Sequence, residues 1–212
     1  MKKEINVEDF KKNCQTGDIL LYNTQFWYSK LIEYFSDSIY SHIGIILRDP
    51  VYLNEKLKGL YLLESSYEDI DDSNTGERVW GVQIIPLDYV LGQYESGSYG
   101  NLYYRKLNTK RDVDFYEKLT KCINSVEGDK YNLNPVDWCK ALFKINSGET
   151  HKKNTFWCSA LVAYVYCNLG CLNNDIPWTL TPPKSFSYYE NDGDTRLKYE
   201  NCTLEPEEKI LF

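Results

Sequence analysis

The chain has 212 residues, of which 42% are hydrophobic and 15% aromatic, and its formal charge at pH 7 is -7. This length and apolar fraction suffice for one well-buried domain, so we expect a single domain over residues 1–212 with its core at about 16–190. Lysines and arginines are scattered and form no basic cluster, which argues against nucleic acid as a partner.

No stretch of the sequence reaches the roughly 18 apolar residues that a membrane span requires. The first residues also lack the apolar core of a signal peptide. We therefore expect a cytoplasmic protein without a transmembrane segment.

The first half of the chain consists of short β-branched and aromatic runs between turn signals, which is typical of strands. Strands are predicted at Ile19–Tyr22, His42–Leu47, Leu60–Glu64, Val79–Ile85 and Leu102–Arg105. Helical spacing of apolar residues predicts helices at Phe26–Phe35, Val113–Val126 and Val136–Ile145, and a last helix that is capped by Asn154 or Thr155 and ends at Gly170. Strands followed by helices predict an α+β fold, with the helices on one side of an antiparallel sheet or half-barrel.

Cys158 lies in the first turn of the last predicted helix, within the run Phe156-Trp157-Cys158-Ser159. A helix N-terminus stabilises a thiolate and presents free N–H groups that can bind a developing oxyanion. The remainder of this helix is apolar almost all round, so we expect a buried helix that presents one thiol at its tip. Taken alone, Cys158 could equally be a small core residue.

His42 is one of only two histidines and opens an apolar β-run. If the turn after this strand is centred near Leu53, antiparallel partners have numbers that sum to about 106, and Glu64 lies opposite His42. An acid at that place would hold one imidazole nitrogen while the other faces a thiol. The structural alternatives are a strand-edge histidine with satisfied hydrogen bonds and a solvated glutamate, but the combination with Cys158 favours a cysteine-nucleophile site.

The seven cysteines are odd in number and lack paired spacing, so we expect reduced thiols and no disulfide framework. A metal site formed by His151, Cys158, Cys167 and Cys171 is conceivable, but its spacing matches no zinc pattern, and we expect no metal or other cofactor. The acidic run at 68–74 lacks the glycine and the terminal glutamate of an EF-hand loop and is interpreted as a solvated loop.

Five short motifs in this order resemble the permuted NlpC/P60 papain-like superfamily, within it the YiiX/YaeF-like branch and its poxvirus relatives. They are Gly17-Asp18-Ile19-Leu20, Ser41-His42-Ile43-Gly44-Ile45, Glu64-Ser65, Trp157-Cys158-Ser159-Ala160-Leu161-Val162 and Thr181-Pro182-Pro183-Lys184-Ser185-Phe186. The resemblance implies a circularly permuted papain-like fold, in which an antiparallel β half-barrel packs against a helical layer. It also implies Cys158 as nucleophile, His42 as general base and Glu64 as the orienting residue, with the last motif as a helix start near the site.

The resemblance further implies an enzyme that acts at an acyl carbon, typically an amidase or peptidase whose substrate is a peptide or amide. Two alternatives stay open: a lipid acyltransferase or phospholipase with the same triad, and a non-catalytic binding module. For an acyl-lipid substrate with peripheral lipid contact, exposed aromatic residues could line an acyl-chain groove, although core packing is the more frequent use of such residues. These aromatic residues are Phe26, Trp27, Tyr28, Trp178, Tyr188 and Tyr189.

Overall fold

A computed structural model describes residues 3–24, 38–66, 68–131, 155–193 and 196–212. The strands are β1 (Lys3–Asn6), β2 (Ile19–Thr24), β3 (His42–Arg48), β4 (Leu60–Ser66), β5 (Gly81–Pro86), β6 (Gly100–Arg105), β7 (Leu107–Asn108), β8 (Lys130–Tyr131), β9 (Thr155–Phe156), β10 (Thr203–Leu204) and β11 (Glu208–Leu211). The α-helices are α1 (Val7–Asn13), α2 (Leu87–Tyr94), α3 (Val113–Val126) and α4 (Cys158–Asn168), and short 3-10 helices follow at Trp178–Leu180, Pro183–Phe186 and Tyr189–Asn191. The predicted helices at 26–35 and 136–145 lie outside the described residues.

The main sheet has the strand order β1-β11-β6-β2-β3-β4-β5-β8-β9, and β7 pairs separately with β10. The described strands leave this sheet open and do not close it into a barrel. The prediction of a mixed α+β fold is confirmed. The predicted antiparallel pairing is found between β2, β3, β4, β5 and β6, whereas β1 pairs with β11 and β8 with β9 in parallel. The first of these pairs lies outside the predicted core at 16–190.

Helices cover both faces of the sheet, so the prediction of helices on one side is wrong. Residues of α3 and α4 pack on the face that carries Ile43 and Ile45, whereas residues of α1 and α2 pack on the face that carries Leu20 and Ile46. The physical reason lies in β3, where Ile45 and Ile46 point to opposite faces of the sheet and are both fully buried. A strand that is apolar on both faces needs a cover on each of them.

Local patterns are confirmed most closely in α3, which has the predicted bounds. Its N-cap is Asp112, whose side chain accepts a hydrogen bond from the N–H of Phe115. Strand β5, by contrast, begins at Gly81 and not at Val79, and Trp80 before it is 58% exposed.

The acidic run at 68–74 is only partly a solvated loop. Asp72 is 1% exposed, and its carboxylate accepts hydrogen bonds from the backbone N–H groups of Asn74, Thr75 and Ile84. Asp72 therefore links this loop to β5 by hydrogen bonds, while Asp71 remains on the surface and pairs with Arg78.

Candidate active site

His42 is the first residue of β3 and lies directly opposite Tyr22 of β2, with the two rings packed edge to face at 4.8 Å between centroids. Its side chain is 20% exposed, so the imidazole is reachable from solvent. The chain that leads to it is fastened by Glu190, which accepts hydrogen bonds from Ser38 Oγ at 2.6 Å and from the N–H of Ile39 at 2.9 Å. These contacts fix the entry of β3.

Glu64 of β4 provides the acidic partner of His42. Its Oε2 lies 2.9 Å from His42 Nε2 and also accepts a hydrogen bond from Tyr22 Oη at 3.2 Å. Its Oε1 accepts a hydrogen bond from Ser66 Oγ at 2.6 Å. The side chain is only 2% exposed, so these donors replace water around the carboxylate.

The contact between His42 and Glu64 exists, but the register that predicted it is wrong by two residues. In the β3–β4 ladder Ile45 pairs with Leu63 and Arg48 with Leu60, so partner numbers sum to 108 and not to 106. Continued to the end of the ladder, this register sets His42 opposite Ser66 and makes Glu64 its diagonal neighbour. A shift of two residues keeps both side chains on the same face, and long side chains reach across the diagonal.

Cys158 is the first residue of α4, and its N-cap is Trp157. The predicted cap at Asn154 or Thr155 is wrong, because Thr155 and Phe156 form the short strand β9. No side chain caps α4, so within the described part of the chain the first-turn N–H groups remain available beside the thiol. At the other end Gly170, at φ +71°, follows the helix as predicted.

The side chain of Cys158 lies close enough to His42 to act electrostatically on its imidazole, and α4 packs against β3 and β4. Burial alone would lower the pKa of His42, but its interactions with nearby Cys158 and with the Glu64 carboxylate, to which the protonated imidazole donates a hydrogen bond, outweigh burial and raise this pKa well above its ordinary value. Since Nε2 is engaged by Glu64, Nδ1 is the nitrogen left for the thiol. The structure thus brings Cys158, His42 and Glu64 together.

Burial alone would also raise the pKa of Glu64. The charge of His42 and hydrogen bonds from His42, Ser66 and Tyr22 outweigh it and hold that pKa below its ordinary value. Burial and the charge of Glu64 raise the pKa of Tyr22 well above its ordinary value, so its hydroxyl stays protonated and donates. Glu64 therefore favours its carboxylate form, and His42 favours its protonated imidazolium form.

Sequence reasoning missed the polar residues around Glu64. Besides Tyr22 and Ser66, these include Gln83 of β5, which is fully buried and donates a hydrogen bond from Nε2 to Ser66 Oγ at 2.7 Å. A second carboxylate, Glu68, has a raised pKa because of burial and the charge of Glu64. The signal for Ser66 was present, since residues two apart on a strand share a face.

The described cysteines other than Cys158 are free and buried. Burial raises the pKa of Cys14 and of Cys167 to about 11, and that of Cys122 to about 12. The thiol of Cys202 donates a weak hydrogen bond to the carbonyl oxygen of Cys171, with Sγ 3.7 Å from that oxygen. The conceivable metal site includes His151, which lies outside the described residues. Among the residues that are described, no group of three or more His, Cys, Asp or Glu side chains could hold a metal ion.

Two further expectations concern the segment after α4. Trp178, one of the aromatic residues considered for an acyl-chain groove, is 6% exposed and packs edge to face against Tyr164, so it belongs to the core. The motif at 181–186 forms the 3-10 helix Pro183–Phe186, in which the Phe186 ring packs against Tyr166 of α4 and the Phe186 carbonyl accepts a hydrogen bond from Arg105. Phe26, Trp27 and Tyr28 lie outside the described residues.

Comparison with known proteins gives a likeness of fold. No protein-family profile matches the chain, and no curated protein matches its sequence. The crystal structure of the metalloprotein yiiX from Escherichia coli O157:H7 superposes with a TM-score of 0.50 at 16% sequence identity, over 93% of this chain and 97% of yiiX. The chain therefore has an overall fold similar to that of yiiX along nearly its whole length, which by itself does not fix a function.

In the part of the chain that the structure describes, no helix has both the length and the hydrophobicity that crossing a bilayer demands.

Proposed function

We propose that residues 1–212 form one cysteine hydrolase domain that cleaves an amide or peptide bond through an acyl-enzyme. In this proposal Cys158 is the nucleophile, His42 the general base and acid, and Glu64 the orienting residue. The fold likeness to yiiX is compatible with the permuted papain-like arrangement that the sequence motifs imply.

One observation carries the proposal: a single imidazole is hydrogen-bonded to a buried carboxylate and lies under the electrostatic influence of a thiol at a helix N-terminus that no described side chain caps. A nucleophile, a base and an orienting group in mutual contact define this class of site, whatever their order in the chain. Here His42 precedes Cys158 in the chain, whereas in papain-type enzymes the cysteine precedes the histidine.

The proposed reaction has two steps. The Cys158 thiolate attacks the substrate carbonyl carbon, and the N–H of Cys158 stabilises the oxyanion that forms. His42 then transfers its proton to the departing amine, and the carbon–nitrogen bond breaks to leave a thioester. A water molecule, deprotonated by His42, attacks the thioester and releases the carboxylic acid and the free thiol. Glu64 keeps Nε2 engaged, so that Nδ1 faces the sulfur throughout.

The structural neighbour yiiX is described as a metalloprotein. The described residues of the present chain offer no group of three metal ligands. The proposed steps use Cys158, His42, Glu64 and water.

The test is a hydrolysis assay on two sets of substrates, peptide amides and acyl-lipid esters, with product masses measured. We expect turnover of peptide amides by the wild-type protein and none by Cys158→Ala. The variant Cys122→Ala is the matched control, because it removes a buried thiol from α3 without touching the site. Turnover of lipid esters alone would favour the acyltransferase or phospholipase alternative. Absence of turnover on both sets would favour a binding module.

A further inference from the structure

We propose that Ser66 and Gln83 are positioning residues that hold Glu64 ionised and directed at His42. This inference rests on the proposed function, because it assigns roles around the same imidazole.

The argument starts from a continuous chain of hydrogen bonds across three strands. Gln83 Nε2 donates to Ser66 Oγ at 2.7 Å, Ser66 Oγ donates to Glu64 Oε1 at 2.6 Å, and Glu64 Oε2 lies 2.9 Å from His42 Nε2. The members are buried: Gln83 is 0%, Glu64 2% and Ser66 6% exposed. In a buried environment each hydrogen bond is stronger, and each polar group without a partner lowers the stability of the fold.

The direction of the chain follows from the chemistry of its members. A serine hydroxyl has one proton and two lone pairs, so it donates to only one acceptor at a time. Because the Gln83 amide donates to Ser66 Oγ, the hydroxyl proton is free to point at Glu64. Register fixes this arrangement, since Gln83 pairs directly with Glu64 in the β4–β5 ladder and Ser66 follows two residues later on the same face.

Each oxygen of Glu64 therefore has its own donors. Ser66 serves Oε1, while Tyr22 and His42 serve Oε2. Without the Ser66 proton, Oε1 would be a buried acceptor with no donor in the described network. The carboxyl group would then either take up a proton or rotate away from His42.

The test uses the pH dependence of the site. Among the described residues, the titratable groups that face the His42–Glu64 pair are Tyr22 on β2, Glu68 just beyond β4 and Cys158 on α4. All of them stay unchanged in the variants described next. The acid limb of the alkylation rate of Cys158 by iodoacetamide follows loss of the thiolate–imidazolium pair, which protonation of Glu64 weakens.

In Ser66→Ala the midpoint of this acid limb should move upward by about one pH unit, because a hydrogen bond to the charged form of a carboxyl group lowers its pKa. Gln83→Glu should shift it in the same direction, since the new carboxylate accepts the Ser66 proton and adds a negative charge. Ser66→Thr keeps the hydroxyl and should restore the wild-type midpoint. Ser65→Ala, a fully buried neighbour on the other face of β4, is the matched control and should leave the midpoint unchanged.

A second readout needs no catalysis. The chain has two histidines, so the His42 ring is readily followed by nuclear magnetic resonance and should report the same displaced midpoint in Ser66→Ala and in Gln83→Glu. If both folded variants keep the wild-type midpoint, the positioning role is overturned, even when the wild type turns over substrate. If the wild type turns over no substrate but the midpoints move, the hydrolase proposal fails and the positioning of Glu64 stands. Should Ser66→Ala fail to fold, Gln83→Glu decides the question alone.

Discussion

Replacing Glu64 with glutamine should disable the base while leaving the shape of the site nearly unchanged. The wild-type carboxylate accepts hydrogen bonds at both oxygens, from Ser66 at Oε1 and from His42 and Tyr22 at Oε2. A glutamine side chain has only one oxygen, and its NH2 group only donates. One set of donors must therefore face another donor, and the negative charge beside the imidazole is lost.

The size of the effect follows from the bond that is removed. A hydrogen bond to a charged group contributes roughly 1.5–3 kcal/mol, and about 1.36 kcal/mol corresponds to one pKa unit. We therefore expect the pKa of His42 to fall in Glu64→Gln, because the imidazolium loses its carboxylate partner. General acid–base catalysis contributes about 10²–10⁴-fold. A misdirected imidazole should accordingly lower kcat/KM by about 10²-fold.

The assay does not require the natural substrate. The second-order rate of Cys158 alkylation by iodoacetamide, followed by intact-protein mass spectrometry at about pH 6, should be at least about tenfold lower in Glu64→Gln than in the wild type. Tyr22→Phe, which removes only one of the two hydrogen bonds to Oε2, is the graded control and should have an intermediate rate. An unchanged rate in Glu64→Gln would refute the reasoning that Glu64 stabilises the imidazolium beside the thiol.

Three further predictions concern Cys158, His42 and Gly44. Limited alkylation at about pH 7 should modify Cys158 before Cys14, whose pKa burial raises to about 11, and peptide mapping that finds another cysteine first would contradict this. Because the pKa of His42 is raised on folding, its stabilising charge is fully present below its unfolded pKa of about 6.5 and is lost as pH rises through the folded value. Urea unfolding of His42→Gln should therefore show its largest loss of stability between about pH 4.5 and 6.5, and a loss that grows with pH above that window would count against the ion pair. Gly44→Ala would set a Cβ 2.9 Å from Leu62 Cγ and should lower the free energy of unfolding by about 1–3 kcal/mol. An unchanged midpoint of urea unfolding would contradict this steric conflict.

The helices and strands whose own residues carry a clear hydrophobic pattern were the predictable part of the fold. The amphipathic spacing in α3 fixes both of its ends, and the apolar runs of β2, β3 and β4 locate the central strands. Helix α2 also carries a helical pattern, in its buried residues Leu87, Val90, Leu91 and Tyr94, and was predictable in principle. The pairing of β1 with β11 was not, because it joins two four-residue strands from opposite ends of the chain.

The three candidate site residues were accessible because each stands in a distinctive local context. The details that depend on pairing were not accessible. The hairpin register was wrong by two residues, yet His42 and Glu64 still meet because an even shift preserves the face. The helix cap was wrong because β9 takes up the residues just before Trp157. Gln83 joins the network only through the register of a third strand, which no local pattern reveals.

The central claim is that Cys158 carries the acyl group of an amide substrate. The direct measurement is acid quenching of the wild-type protein during turnover of a peptide amide, followed by mass spectrometry of the intact chain and of its peptides. The account predicts a thioester on the peptide that contains Cys158, which accumulates in the wild type and is absent from Cys158→Ala. Turnover without any adduct on Cys158, or an acyl group on a different cysteine, would contradict it.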